Sequence, residues 1–221
     1  DSKTEYTIRF DMPGVIDGST IKLVSNVMGQ SYAQASFQIS YNDKFIVEQK
    51  PEVIIDYQYA IKGTEVTDTL NINASSVNAA GSANQDVKIK FIKASTGRSV
   101  GYLDYLLLQT KRKLALYGDQ TLFHSLKSLQ QPATKFNIAN TASTAIVWDV
   151  TDAYNPAIQQ SSFNGGTTSF TANSTSLRKY VVTSTKFSAP DFEKQVANQN
   201  LHGISNIDLL VVCAPEFLLQ A

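Results

Sequence analysis

Period-two alternation, repeated along the chain in about a dozen short stretches, limits what this sequence can fold into more than any other feature. Glu5-Tyr6-Thr7-Ile8-Arg9-Phe10 alternates polar and apolar residues and stops at Met12-Pro13-Gly14, a strand that ends in a turn. The same pattern predicts strands over Thr20–Val24, Ala33–Tyr41, Asp56–Ile61 and Asp86–Ile92. It recurs over Lys113–Tyr117, Gln120–His124, Ala145–Val150, Thr167–Thr171 and Lys179–Thr185. Gly101–Leu108 is apolar on both faces, which predicts a central strand of a sandwich. Asn71–Asn84 and Ser161–Gly166, rich in Asn, Gly, Ser and Thr, read as connections. The expected fold is mainly β: an antiparallel β-sandwich or jelly-roll-like region over residues 1–187. A subdivision is expected near 127–135, where a Ser/Gln/Pro-containing stretch interrupts the strand pattern.

The pattern changes after Lys186. Residues 188–206 read as a linker, with a short helical turn expected within 188–196 and a tight turn over 200–203. Ile207-Asp208-Leu209-Leu210-Val211-Val212-Cys213 is apolar on both faces, as a strand inside a parallel sheet would be. Residues 214–220 then read as a helix start, with Pro215 and Glu216 in its first turn. Residues 207–221 are therefore expected to be the truncated start of an α/β domain. Their strand is expected to be ordered by packing on an edge of the β region or by pairing with a second copy of the chain.

Charge excludes one large class of partner. Lys plus Arg number 19 and so do Asp plus Glu, so nothing attracts the chain as a whole to nucleic acid. The one basic cluster, Lys111-Arg112-Lys113, reads as the solvated edge of a strand. A single cysteine, Cys213, leaves no disulfide framework and no cysteine-rich zinc site. The two histidines, His124 and His202, lie too far apart to suggest a metal cluster, and no cofactor is expected. With only 17% charged residues, 10 Tyr and 11 Phe, the composition is that of an exported, sheet-rich protein.

The stretch Ala145-Ile146-Val147-Trp148-Asp149-Val150-Thr151-Asp152-Ala153-Tyr154-Asn155-Pro156 carries the most site-like pattern. A propeller blade is excluded, since the chain has one Trp and a propeller needs at least ~4 blades. Asp149, Asp152 and Asn155 are candidate oxygen ligands for calcium, but their spacing of three does not match an EF-hand loop. The better reading makes Asp152 and Asn155 turn residues that stop the strand, with Pro156 fixing the exit and Trp148 anchoring the core. Cys213 has no base partner suggested by spacing and reads as inert packing in a buried strand. His202, beside Gly203, reads as a residue that positions the turn. No catalytic residue is expected in this chain.

Several motifs occur in one order: Gly101-Tyr102-Leu103-Asp104-Tyr105, Arg112-Lys113-Leu114, Val147-Trp148-Asp149-Val150-Thr151-Asp152 with Asn155-Pro156, and Asn198-Gln199-Asn200-Leu201-His202-Gly203. Asp208 to Val212 and Pro215-Glu216-Phe217 follow. In this the chain resembles the PorU-type sortases of the type IX secretion system, within the gingipain family of cysteine peptidases. The resemblance spans roughly Gly101 to Ala221; the first hundred residues add a compatible strand pattern. It implies a β-rich region ahead of a caspase-like α/β catalytic domain, at the outer face of a Bacteroidetes outer membrane. The partners it implies are the downstream peptidase domain, outer-membrane components of the secretion system and exported cargo; the dimer is the one through the C-terminal strand, expected above from its apolar faces. The family's catalytic His and Cys lie downstream of its first catalytic-domain strand, so neither His202 nor Cys213 inherits their role. The reading of a different class is a free-standing carbohydrate-binding jelly roll that uses exposed aromatic side chains.

Overall fold

The computed structural model describes residues 3–187, 189, 191–196, 200, 203–206, 208–209 and 211–217. The chain separates into two units, Asp1–Lys186 and Phe187–Ala221. The first is built on strands whose ladders are all antiparallel. They are β1 (Glu5–Asp11), β2 (Thr20–Ser31), β3 (Ser36–Tyr41), β4 (Lys44–Gln49), β5 (Thr64–Asn73), β6 (Asn84–Ile92) and β7 (Ser99–Gln109). After them come β8 (Gln120–Phe123), the short 3₁₀ segment η1 (Leu126–Gln130), β9 (Ala133–Ile138), β10 (Ile146–Asp149) and β11 (Ala157–Ile158). β12 (Ser162–Asn164), β13 (Thr167–Asn173) and β14 (Tyr180–Thr183) complete the set.

Two sandwiches in series result. In the first, the sheet ordered β1-β6-β3-β4 faces the sheet ordered β5-β2-β7. Period two decides which residues meet between them: Ile21, Leu23 and Val27 from β2 pack with Phe37, Ile39 and Tyr41 from β3 and Val87 and Ile89 from β6. Each such side chain contributes roughly 1.5–3 kcal/mol by leaving water. Gly101 has a packing reason to lack a side chain: a Cβ there would lie 2.5 Å from the Phe91 ring and 2.7 Å from that of Phe37. Those rings pack at 4.9 Å between centroids and fill the space.

In the second sandwich the sheet β11-β10-β14-β8 faces β12-β13-β9. Its core is aromatic. Phe136 and Phe170 stack at 5.0 Å, and Phe123 and Tyr180 close against them, with Val147, Val182 and Ile138 beside them. The change of core falls between Leu108, packed on the first cluster, and Leu114, packed on the second. The stretch 127–135 forms most of η1 and the start of β9.

Other expectations are corrected. Gly101–Leu108 forms β7, but at the edge of its sheet, with Tyr102, Tyr105 and Leu107 exposed on its outer face. Asp56–Ile61 alternates correctly yet forms no strand; Ala60 N–H bonds back to Tyr57 C=O, and Tyr57, Tyr59 and Ile61 face solvent. Alternation sets which way side chains face but does not provide a neighbouring strand, and both places beside β2 are taken by β5 and β7. Lys113–Tyr117 contributes a single isolated bridge, Ala115 to Ala139. Trp148 is half-buried and sits outside the core cluster, because period two turns Val147 and Asp149 inward instead.

In the second unit the described residues 208, 209 and 211–214 form no strand, and Leu209, Val211 and Val212 are exposed. Apolar composition makes a strand only beside a ladder partner. The expected helix start is one 3₁₀ turn, Pro215–Phe217, which we label η2. Residues 191–196 carry no helical turn. Ile207 and Leu210 of the expected strand, and His202 and part of the turn around it, lie outside the described residues.

Candidate functional site

The junction of the two sandwiches is built by the turn after β1 and the segment after β7. Val15 bridges Arg112, Ile16 N–H donates to Lys111 C=O at 3.0 Å, and Lys113 N–H donates to Gly14 C=O at 2.8 Å. Arg112 Nε donates to Pro13 C=O at 2.6 Å, and its guanidinium lies 4.2 Å over the Tyr117 ring. The Tyr117 hydroxyl donates to Lys113 C=O at 2.8 Å. Lys111-Arg112-Lys113 is therefore a clamp between modules, and the reading of it as a plain solvated strand edge is corrected for Arg112, which is half-buried.

Beside this clamp opens a groove of about 650 Å³. One wall is the outer strand β8 with η1, the other is the outer strand β9, and the segment 110–117 closes one end. The groove exists because a ladder stops early. Leu116 N–H donates to Ala139 C=O and Ala139 N–H to Leu114 C=O, so the segment begins to pair along the free side of β9. The parallel pairing stops there: Leu114 N–H makes no bond to Asn137 C=O, while Lys113 N–H, on the opposite side of the segment, donates to Gly14 C=O. Backbone groups alternate sides along a strand, so Lys135 and Asn137 present N–H and C=O to the same side as Ala139. Among the described residues no backbone group pairs with them there.

Charge in the groove is of one sign. Arg112, Lys113, Lys127 and Lys135 line it, with His124 at the end of β8, and no Asp or Glu does. None of these four cations forms an ion pair among the described residues, where Arg9–Asp86, Lys50–Glu48, Lys88–Asp43 and Arg178–Asp149 are paired. The sequence cluster Lys111-Arg112-Lys113 contains two of these cations, Arg112 and Lys113; Lys127 and Lys135 escaped it, because the topology brings them together and their spacing does not.

The candidate calcium residues are divided by the fold. Asp149 accepts from Thr151 N–H at 2.9 Å and from Arg178 at 2.8 Å. Asp152 accepts from Tyr154 N–H at 2.9 Å and from Asn155 Nδ2 at 2.8 Å, the side-chain turn expected from the sequence. The carboxylate oxygens of Asp149 and Asp152 are committed to these donors, and the arrangement supplies a strand exit. Cys213 is half-buried in a segment without regular structure, not in a buried strand.

Burial works to raise the Asp149 pKa, but the Thr151 donors and Arg178 outweigh it and hold the carboxyl below its ordinary range. A depressed folded-state pKa contributes stability above the unfolded value of about 4, and that stability is lost as pH falls through the lower folded value. Asp149→Asn should therefore cost about 1–2 kcal/mol at pH 7, toward the low end for a buried pair because the Arg178 side chain is 40% exposed. Urea unfolding of both proteins checks it: the gap should shrink at pH 3, and an unchanged midpoint at pH 7 contradicts the assignment.

The fold has a solved counterpart. The chain is similar to the crystal structure of dimeric latent PorU from Porphyromonas gingivalis, with a TM-score of 0.67 and 15% sequence identity. The match covers 91% of this chain and 20% of that one, so the chain spans about a fifth of that protein's length. The likeness concerns the fold, and a match of 91% of the chain takes in most of the first hundred residues. No family model matches the chain, and no curated protein does. Among the described residues no helix is long and apolar enough to cross a membrane.

Proposed function

We propose that this chain is a non-catalytic β region of a gingipain-type cysteine peptidase related to the type IX secretion sortase. It sits at the cell surface and positions the peptidase domain against exported cargo. The observation that carries the reading is the agreement of two independent likenesses. The ordered motifs from Gly101 onward resemble that family, and the fold likeness to PorU covers 91% of the chain. On this reading residues 188–206 link the β region to an α/β catalytic domain that opens at 207–221. Outer-membrane components of the secretion system and a second copy of the chain are further partners.

Two measurements test it together. The chain alone, incubated with a cargo C-terminal signal, should leave it uncut, since no nucleophile–base pair is assigned here. Deleting residues 1–186 from the full-length protein should abolish cargo processing while the peptidase domain still folds. Cleavage by the chain alone, or full processing without residues 1–186, would overturn the reading.

A second reading, a carbohydrate-binding module, is favoured by exposed aromatics: Tyr57 and Tyr59 in edge contact at 5.7 Å, and Tyr102 and Tyr105 on β7. Other large aromatics, Phe37, Phe136, Phe170 and Tyr180 among them, fill the cores. A glycan array with no bound sugar removes this alternative.

A further inference from the structure

We infer that the groove between β8 and β9 takes an extended, acidic peptide segment, added as a strand along the free side of β9. The inference goes beyond the reading above and stands on the groove alone. Two features of different kind point to one occupant.

The first is backbone. Lys135 and Asn137 hold out N–H and C=O groups at strand spacing, in line with the bridge that Ala139 already makes to Leu114 and Leu116. A row of this kind pairs with an extended chain and with little else, because both partners must repeat every two residues. The segment 114–116 shows how an added strand begins, and no bond from it reaches Asn137 or Lys135, so the next positions are open.

The second is charge. Lys113, Lys127 and Lys135 converge on the groove with Arg112, and no lining carboxylate answers them. Arg112 is held at Nε by Pro13 and stacked on Tyr117, while its terminal nitrogens have no hydrogen-bond partner among the described residues. A guanidinium fixed in this way presents the two-pronged donor edge that suits a carboxylate. Asp11 lines an adjoining hollow that shares Arg112 and Tyr117 with the groove, and does not line the groove itself. In a chain of zero net charge such a one-signed groove sets a preference for acidic side chains on the incoming strand. Leu114, Leu122 and Phe123 supply apolar contact for the residues that alternate with them.

The test uses the whole chain and a dye-labelled octapeptide of alternating glutamate and valine, read by fluorescence anisotropy at low ionic strength. Saturable binding is expected, weakened about tenfold by Lys127→Glu with Lys135→Glu. The lysine–valine counterpart should not bind, and N-methylation of alternate peptide nitrogens should abolish binding. Both lysines are exposed, so the double variant should keep its melting temperature; should it not, Lys127→Gln with Lys135→Gln carries the same comparison. Three results each overturn the inference: no binding of the glutamate peptide, equal binding after N-methylation, or tighter binding of heparin than of the peptide. The last would make the groove a polyanion site that does not read backbone.

Discussion

Gly14→Ala is expected to destabilise the β region by roughly 3 kcal/mol or more, although it adds one methyl group. Gly14 has φ +80°, where an alanine is strained by about 1–2 kcal/mol. The added Cβ would also lie 1.8 Å from the Tyr117 hydroxyl oxygen and 2.7 Å from the ring carbon bearing it. Tyr117 must then move. It would lose its bond to Lys113 C=O and its stacking with Arg112, worth roughly 1 kcal/mol each. Urea unfolding of Gly14→Ala, Tyr117→Ala and the double variant separates the terms. The double variant should cost clearly less than the sum of the singles, because the clash is absent once the ring is gone. Strict additivity would show that Gly14 and Tyr117 do not oppose one another, and the description of the junction would be wrong.

Most strands were legible because each has an amphipathic pattern and a partner. Glu5–Phe10, Gln120–His124 and Lys179–Thr185 coincide with β1, β8 and β14 to within a residue or two. What escaped notice had a local signal of a different kind. Asn42 and Asp43, with φ of 45° and 61°, form a two-residue hairpin turn, and Lys44–Gln49 pairs back along β3 as β4. Gly165-Gly166, with φ of 53° and 80°, does the same between β12 and β13 inside a stretch read as a connection. Turn chemistry announced both strands where alternation was weak.

The opposite errors came from trusting side-chain pattern without asking for a neighbour. Asp56–Ile61 and Ile207–Cys213 have strand composition, and the described part of each is irregular. β7 has the composition of a central strand and an edge position, so its outer face stays exposed. The groove was less legible still. Lys113, Lys127 and Lys135 meet because two sheets close over one aromatic core and leave β8 and β9 at their margins. A topology of that kind has no period in sequence. Asp152 and Asn155 were legible as a turn because their partners lie within three residues.

Gln85→Leu should destabilise the first sandwich by about 3–5 kcal/mol, although leucine has a similar volume and greater hydrophobicity. Gln85 is fully buried, and its amide is used completely. Its Oε1 accepts from the Tyr41 hydroxyl at 2.9 Å and from Asn42 Nδ2 at 3.2 Å. Its Nε2 donates to Ala79 C=O at 3.1 Å and Ser82 C=O at 3.0 Å. Leucine would strand the Tyr41 hydroxyl and Ser82 C=O and leave Ala79 C=O only its 3.3 Å bond from Ser82 N–H, in a site dry enough that burial pushes the Tyr41 pKa up to about 12. Each stranded group costs roughly 1–3 kcal/mol, and the losses overlap within one network. Asn42 keeps its bonds to Val77 C=O and Asp86 N–H, so the β3–β4 hairpin should survive. Tyr41→Phe made together with Gln85→Leu removes one stranded group, and the pair should cost less than the two changes summed. Denaturant unfolding of the three variants at neutral pH decides it. A Gln85→Leu protein within 1 kcal/mol of wild type would show that the amide is not needed, and that the loop from Ala79 to Ser82 is held by its other contacts.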